Sequence, residues 1–287
     1  MPLASVNGIE LHYEATGDGE PLVWSHEFGG DYRSWEPQVR FFARRYRVIT
    51  YNHRGYPPST VPDNPAAYTQ EQLVADLLGL LDRLGIAQAH LAGLSMGGNV
   101  VLNFALAHPD RCRSIVVAGT GSGSDNPERY RREGERLIAL LDQGDMQTFA
   151  DTFGRGPTRR QLCRKDPRGW QEFRDQLAEH SARGSAMIFA GVPLGRPTIY
   201  QLALKLDVLT VPTLLAVGDE DGECLAPALF IKQHVRTAGL LILPNTGHLV
   251  NLEEPALFNQ QILDFLTTVE GGHWPARDPA FTTEVLF

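Results

Sequence analysis

Short β-rich runs alternate with amphipathic helical segments along most of this chain, and that alternation limits the possible folds more than any other feature. Val6 and residues 9–13 flank Asn7-Gly8, a hairpin-type turn signal. Runs at 22–25, 48–51, 89–92, 115–118, 213–217 and 240–243 read as strands. Helical spacing separates them. Trp35, Val39, Phe42 and Ala43 share one face of a segment spanning 35–46, and further helices fall at 97–107, about 226–234 and 255–269. Thr69-Gln70-Glu71-Gln72 reads as a capping box that opens a helix carrying Leu73, Leu77, Leu80, Leu81 and Leu84 on one stripe, with Gly85 as its stop. The pattern predicts an α/β fold: a mostly parallel central sheet with helices on both faces.

Residues 122–206 break the rhythm. The stretch begins Gly121-Ser122-Gly123-Ser124, carries charged helical segments near 128–141 and 169–180, and has no clear strand. It reads as a helical cap inserted into a core made of residues 1–121 and 207–270, with 271–287 as a C-terminal tail. Arg155, Arg159, Arg160, Arg164, Lys165 and Arg168 cluster in the cap, either as a solvated surface or to steer an anionic substrate. Glu284-Val285-Leu286-Phe287 resembles a protease-cleavage tag and is set apart from the fold.

Several function classes are disfavoured. A formal charge of −8 is the wrong sign for a nucleic-acid partner. No apolar run approaches the roughly 18 residues that cross a bilayer, and residues 1–7 lack the basic and apolar regions of a secretory signal. Cys112, Cys163 and Cys224 have no C-x-x-C spacing, which predicts reduced thiols in a cytoplasmic protein, with no disulfide framework and no zinc site. Cys224 follows the acidic run Asp219-Glu220-Asp221 closely enough to approach a site.

Gly93-Leu94-Ser95-Met96-Gly97 lies between a strand and a helix. A serine at so sharp a turn is held in strained geometry with its hydroxyl presented outward, and glycines two residues to either side relieve crowding between strand and helix. The helix N-terminus adds N–H groups that can stabilise a developing oxyanion. The hydroxyl needs a base, and the base an orienting carboxylate. Asp219, Glu220 and Asp221 follow one later strand, and Asn245-Thr246-Gly247-His248 follows the last. None of the other eight histidines follows a terminal strand in this way. The chain order is serine, acid, histidine.

With these pieces in place the chain resembles the α/β-hydrolase superfamily over nearly its whole length outside the insertion. The resemblance rests on the 25–30 run, Tyr51-Asn52-His53-Arg54-Gly55, Gly93 to Gly98, Gly218 to Asp221, and Gly247-His248 before Asn251-Leu252-Glu253-Glu254-Pro255. From Trp35 through Met96 it looks most like the 3-oxoadipate enol-lactonase group and related small esterases. The resemblance implies Ser95 as nucleophile, His248 as base, Asp221 as the acid, and the N–H groups of Phe28 and Met96 as oxyanion donors. It also implies hydrolysis of a small-molecule carboxylic ester or lactone, without metal or organic cofactor; neither metal-ligand spacing nor a G-x-G-x-x-G loop occurs in the chain. Two alternatives share these residues: a carbon–carbon hydrolase of ring-cleavage products, and a ligand receptor that retains the triad with little turnover. Haloalkane dehalogenases and epoxide hydrolases on this fold use an aspartate nucleophile, so Ser95 argues against both.

The chain departs from the family in two places. Asn52 stands where an aspartate is common, with Tyr56-Pro57-Pro58 in place of a small turn, and Glu27 stands where glycine usually follows the histidine. An ionised carboxylate about 4 Å from an oxyanion opposes it by roughly 4 kcal/mol at an effective dielectric of 20. Glu27 is therefore expected to point away and pair with Arg54 or Arg33. Otherwise it faces the site, either protonated or receiving a polar or cationic substrate group.

Overall fold

The computed structural model describes residues 2–278, so the 284–287 run lies outside the described residues. Asn7 and Gly8 both take positive φ, 47° and 77°, the geometry of a tight turn matched to strand twist. The chain folds back there, placing β1 (Leu3–Val6) against β2 (Ile9–Thr16) with Val6 facing Ile9. Next come β3 (Glu20–Ser25), α1 (Glu36–Phe42), β4 (Tyr46–Tyr51), α2 (Gln70–Arg83), β5 (Ala89–Leu94), α3 (Met96–Ala107) and β6 (Cys112–Ala118). After the interruption follow β7 (Thr213–Gly218), a helix over Leu225–His234, β8 (Ala238–Leu243) and two C-terminal helical pieces, Val250–Glu253 and Pro255–Glu270.

The strands form one eight-stranded sheet in the order β1-β2-β4-β3-β5-β6-β7-β8. Only the β1/β2 and β2/β4 pairs are antiparallel; from β4 to β8 every pairing is parallel. Parallel neighbours need crossover helices, and those helices cover both faces. Trp24 of β3 packs on Trp35, Phe42 and Phe258, with ring centroids 4.6, 5.6 and 6.3 Å away, so it ties α1 and the C-terminal helix to the sheet. On α2, Leu73, Leu77, Leu80 and Leu81 are completely buried, each contributing about 1.5–3 kcal/mol of apolar transfer.

Two sequence expectations change in detail. The helix expected over 35–46 ends at Phe42, because Tyr46 already pairs with Glu20 in the β3/β4 ladder. The capping box is half formed: Thr69 Oγ1 accepts the Gln72 N–H at 3.1 Å, but the Gln72 side chain turns to Asp76.

Between β6 and β7 no strand occurs among the described residues. The segment is helical: α4 (Pro127–Leu141), α5 (Met146–Gly154), α6 (Arg160–Lys165), α7 (Pro167–Ala178), α8 (Ala182–Gly191) and α9 (Ala203–Leu206). The described part of the C-terminal stretch is held to the core. Trp274 Nε1–H donates to the Thr237 carbonyl at 2.8 Å, and the indole packs on Phe265. No helix among the described residues is long and apolar enough to cross a membrane.

A buried ion pair anchors the loop after β4. Arg54 donates through Nε and NH2 to the two Asp76 oxygens at 2.6 and 2.7 Å, and both side chains are almost wholly buried. Truncating one partner strands the other charge. Asp76→Ala should therefore lower unfolding stability by about 3–5 kcal/mol, read as a shifted urea midpoint with unchanged slope.

Candidate active site

Ser95 follows β5 and caps α3 at φ 55°, ψ −110°, an uncommon backbone conformation for a residue with a side chain. The crowding that enforces this turn is measurable. A Cβ on Gly93 would lie 2.3 Å from the Gly97 carbonyl oxygen, and one on Gly97 would lie 2.0 Å from the Ser25 carbonyl oxygen. Only glycine fits at either position. The strand-to-helix turn therefore follows from the two glycines the sequence places around Ser95.

Asp221 follows β7 and His248 follows β8, and the parallel register brings them together with His248 Nδ1 2.7 Å from Asp221 Oδ2. Both side chains are buried. Burial by itself would push the Asp221 carboxyl up, but the His248 charge and hydrogen bond outweigh it and hold the group below its ordinary value. An ionised carboxylate can only accept, so the shared proton sits on Nδ1 and leaves Nε2 available to a partner. Asp219 and Glu220 do not compete for this place. Asp219 Oδ1 accepts the Thr246 N–H at 3.0 Å, and Glu220 is exposed. Ser95 makes no side-chain hydrogen bond to His248, yet both line one cavity of about 530 Å³.

The loop after β3 supplies the other wall. No protein acceptor takes the N–H of Phe28 or of Met96 among the described residues. The Phe28 N–H belongs to the same planar peptide as the Glu27 carbonyl, so whatever holds that carbonyl aims the N–H the opposite way. His26 Nδ1 lies 2.8 Å from the Glu27 oxygen, while His26 Nε2 accepts the His53 N–H at 3.1 Å, which places the imidazole proton on Nδ1. Burial lowers His26 to about 4 and His53 well below its usual value, so both rings are neutral near pH 7. Tyr56 O–H donates to the Phe28 carbonyl at 2.6 Å. The Tyr56-Pro57-Pro58 departure thus braces the loop, and Asn52 Nδ2 ties that turn down through the Pro57 carbonyl at 2.9 Å.

Glu27 is 1% exposed and does pair with an arginine, but neither expected partner is the one. Arg54 is committed to Asp76, and Arg33 to Asp31 and Glu179. The partner is Arg159, from the turn before α6, whose NH2 donates to Glu27 Oε2; the same oxygen accepts the Gly29 N–H at 3.2 Å. Arg159 is 3% exposed and lies over the Phe153 ring at 4.3 Å, so it leaves the solvated arginine cluster to which the sequence assigned it. Both Glu27 and Arg159 line the Ser95 cavity, so Glu27 does not point away from the site.

Sequence reasoning missed Arg159, since nothing local relates it to Glu27, 132 positions earlier. It also missed the aromatic wall of the cavity formed by Tyr130, Phe153 and Phe189. Cys224 does lie near the site: its Sγ is 3.2 Å from Ser122 Oγ and 4.0 Å from His248 Nδ1.

The sheet order, the strained serine turn and the acid and histidine after successive strands define an α/β hydrolase enzyme. The chain belongs to the α/β hydrolase fold family, whose model matches residues 20–255. Among its relatives, 3-oxoadipate enol-lactonase 1 of Acinetobacter baylyi is 28% identical over 255 residues, covering 87% of this chain and 89% of that one. A Caulobacter vibrioides protein provisionally named carbamate hydrolase RutD is 38% identical over 288 residues, covering 93% and 98%. The crystal structure of the enol-lactonase from Burkholderia xenovorans LB400 superposes with a TM-score of 0.82 at 30% identity, covering 93% of this chain and all of that one.

Proposed function

We propose that the protein hydrolyses a small carboxylic ester or lactone through an acyl-enzyme on Ser95. The observation that carries this reading is the strained Ser95 facing the same cavity as His248, whose Nδ1 is committed to an ionised Asp221. His248 Nε2 takes the Ser95 proton as Oγ attacks the acyl carbonyl. The Phe28 and Met96 N–H groups receive the oxyanion, and the imidazolium returns its proton to the leaving alkoxide. Water then enters, His248 deprotonates it as its oxygen bonds the acyl carbon, and the imidazolium returns that proton to Ser95 Oγ as the acyl–Oγ bond breaks to release the acid. Asp221 holds the imidazole in one tautomer throughout. The cavity is mainly apolar, which fits a short acyl or ring substrate. The three cysteines are free thiols, which supports a cytoplasmic location.

The direct test is covalent. A fluorophosphonate should add one equivalent at Ser95, read by intact mass and peptide mapping, and p-nitrophenyl esters should give a burst of one p-nitrophenol per protein. Absence of the adduct from folded protein refutes an active nucleophile. The relative provisionally named for carbamate hydrolysis favours a second reading, attack on a carbamate carbonyl by the same residues. Steady-state kcat/KM on matched ester, lactone and carbamate substrates ranks the two.

A further inference from the structure

We propose that Arg159 is a positioning residue that neutralises Glu27 beside the oxyanion-binding loop, so that the loop works only while the inserted helical segment is docked. The proposal rests on the reading of Ser95 and Phe28 given above. Glu27 is a fixed neighbour of the Phe28 N–H: its carbonyl is held by His26, and its carboxylate folds back onto the Gly29 N–H. A carboxylate in that position opposes negative charge developing in the same cavity. Among the described residues, the core arginines Arg54 and Arg33 are taken by Asp76 and Asp31. The counter-charge comes from the insertion, where Arg159 is held over Phe153 and Phe173 with its Cζ 4.3 and 5.5 Å from the ring centres and its NH1 2.6 Å from Thr158 Oγ1.

The satisfaction of the pair is incomplete. Glu27 Oε1 and Arg159 Nε are buried without hydrogen-bond partners. A buried polar group that is only half satisfied adds little to stability, which makes an electrostatic duty the better account of why both are there. Among the described residues His26 and Tyr56 face Glu27, and its cavity is also lined by Tyr130, Glu133, Glu223, His248 and Arg129. His248 is committed to Asp221 and Arg129 to Glu223, so neither is paired with Glu27.

The test compares kcat and KM for one p-nitrophenyl ester from pH 6 to 9 in the native protein, Ser95→Ala, Arg159→Met, Arg159→Lys and Glu27→Gln/Arg159→Met. Melting midpoints are taken for each. Without Arg159 the Glu27 carboxylate stays beside Phe28 with its counter-charge removed. Arg159→Met should therefore lose about 10²–10³-fold in kcat, as large as the loss of an oxyanion donor, with little change in KM. The double variant removes the carboxylate and should return to within about tenfold of native. Arg159→Lys keeps the charge and should do the same. If the single and double Met variants lose activity equally at every pH, or Arg159→Met is unimpaired, the proposal is overturned. Should Arg159→Met fail to melt cooperatively, Arg159→Lys decides: a loss of kcat beyond about tenfold in folded protein overturns it and retention supports it. A Ser95→Ala protein as active as native sinks the hydrolase reading itself. A silent Ser95→Ala beside an unimpaired Arg159→Met removes this inference alone.

Discussion

Ser95→Ala is expected to lower kcat on a p-nitrophenyl ester by about 10⁴–10⁶-fold. Alanine keeps the cavity, the His248–Asp221 pair and the Phe28 and Met96 donors, but leaves nothing to bond the acyl carbon. The reaction is left to water assisted by the remaining donors, which accounts for a residual rate rather than zero. KM should move little, since the hydroxyl contributes a bond made in the reaction and not a binding contact. The backbone strain at φ 55° is set by the Gly93 and Gly97 crowding, not by the hydroxyl, so folding should be unaffected. Initial rates with matched melting curves check this. A folded variant within tenfold of native would take Ser95 out of the chemistry.

The second large effect belongs to the carboxylate. Asp221→Asn should cost about 10⁴-fold in kcat with the fold intact. An amide can present its NH2 to Nδ1, which moves the imidazole proton to Nε2 and leaves no lone pair there for the serine proton. It also removes the charge that stabilises the imidazolium. The neighbouring acids do not substitute: Asp219 is engaged with the Thr246 N–H and Glu220 faces solvent. Asp219→Asn is the matching control, expected to keep the rate near native. If Asp219→Asn proves the more damaging change, the acid has been misplaced. Because the His248 charge and hydrogen bond outweigh burial and hold the Asp221 carboxyl below its ordinary value, Asp221 stays ionised at mildly acidic pH.

What the sequence could convey divides by distance along the chain. The hairpin at Asn7-Gly8 was legible because backbone preference at two residues decides it. The Ser95 turn was legible for a similar reason, since its glycines lie two positions away on each side. Asp221 and His248 could be placed because parallel strands deliver their C-terminal ends to one edge of the sheet, so a residue's position just after a strand states where it goes. Choosing Asp221 over its two neighbours needed more than local chemistry, and the family resemblance supplied it. Helix 35–46 was drawn too long because β3 pairing, not helix periodicity, claims Tyr46. The partner of Glu27 was out of reach. Arg54 and Arg33 looked available only because Asp76 and Asp31, which occupy them, could not be seen. Arg159 belongs to a segment whose docking no periodicity encodes, and its surroundings on the chain look like solvated basic surface. Long-range electrostatic pairing is a property of the assembled fold.

The Glu27–Arg159 contact also bears on how such an enzyme could be recombined. Helical segments between the sixth and seventh strands look exchangeable, since both junctions are loops and the sheet closes without them. In this chain, a graft replacing residues 127–206 would remove the counter-charge of the Glu27 carboxylate, unless the incoming segment carried a cation at the same spot or position 27 changed with it. Replacing the helical segment here is therefore a two-site operation, and chimeras that respect only the loop boundaries start with a defect in the half they meant to preserve.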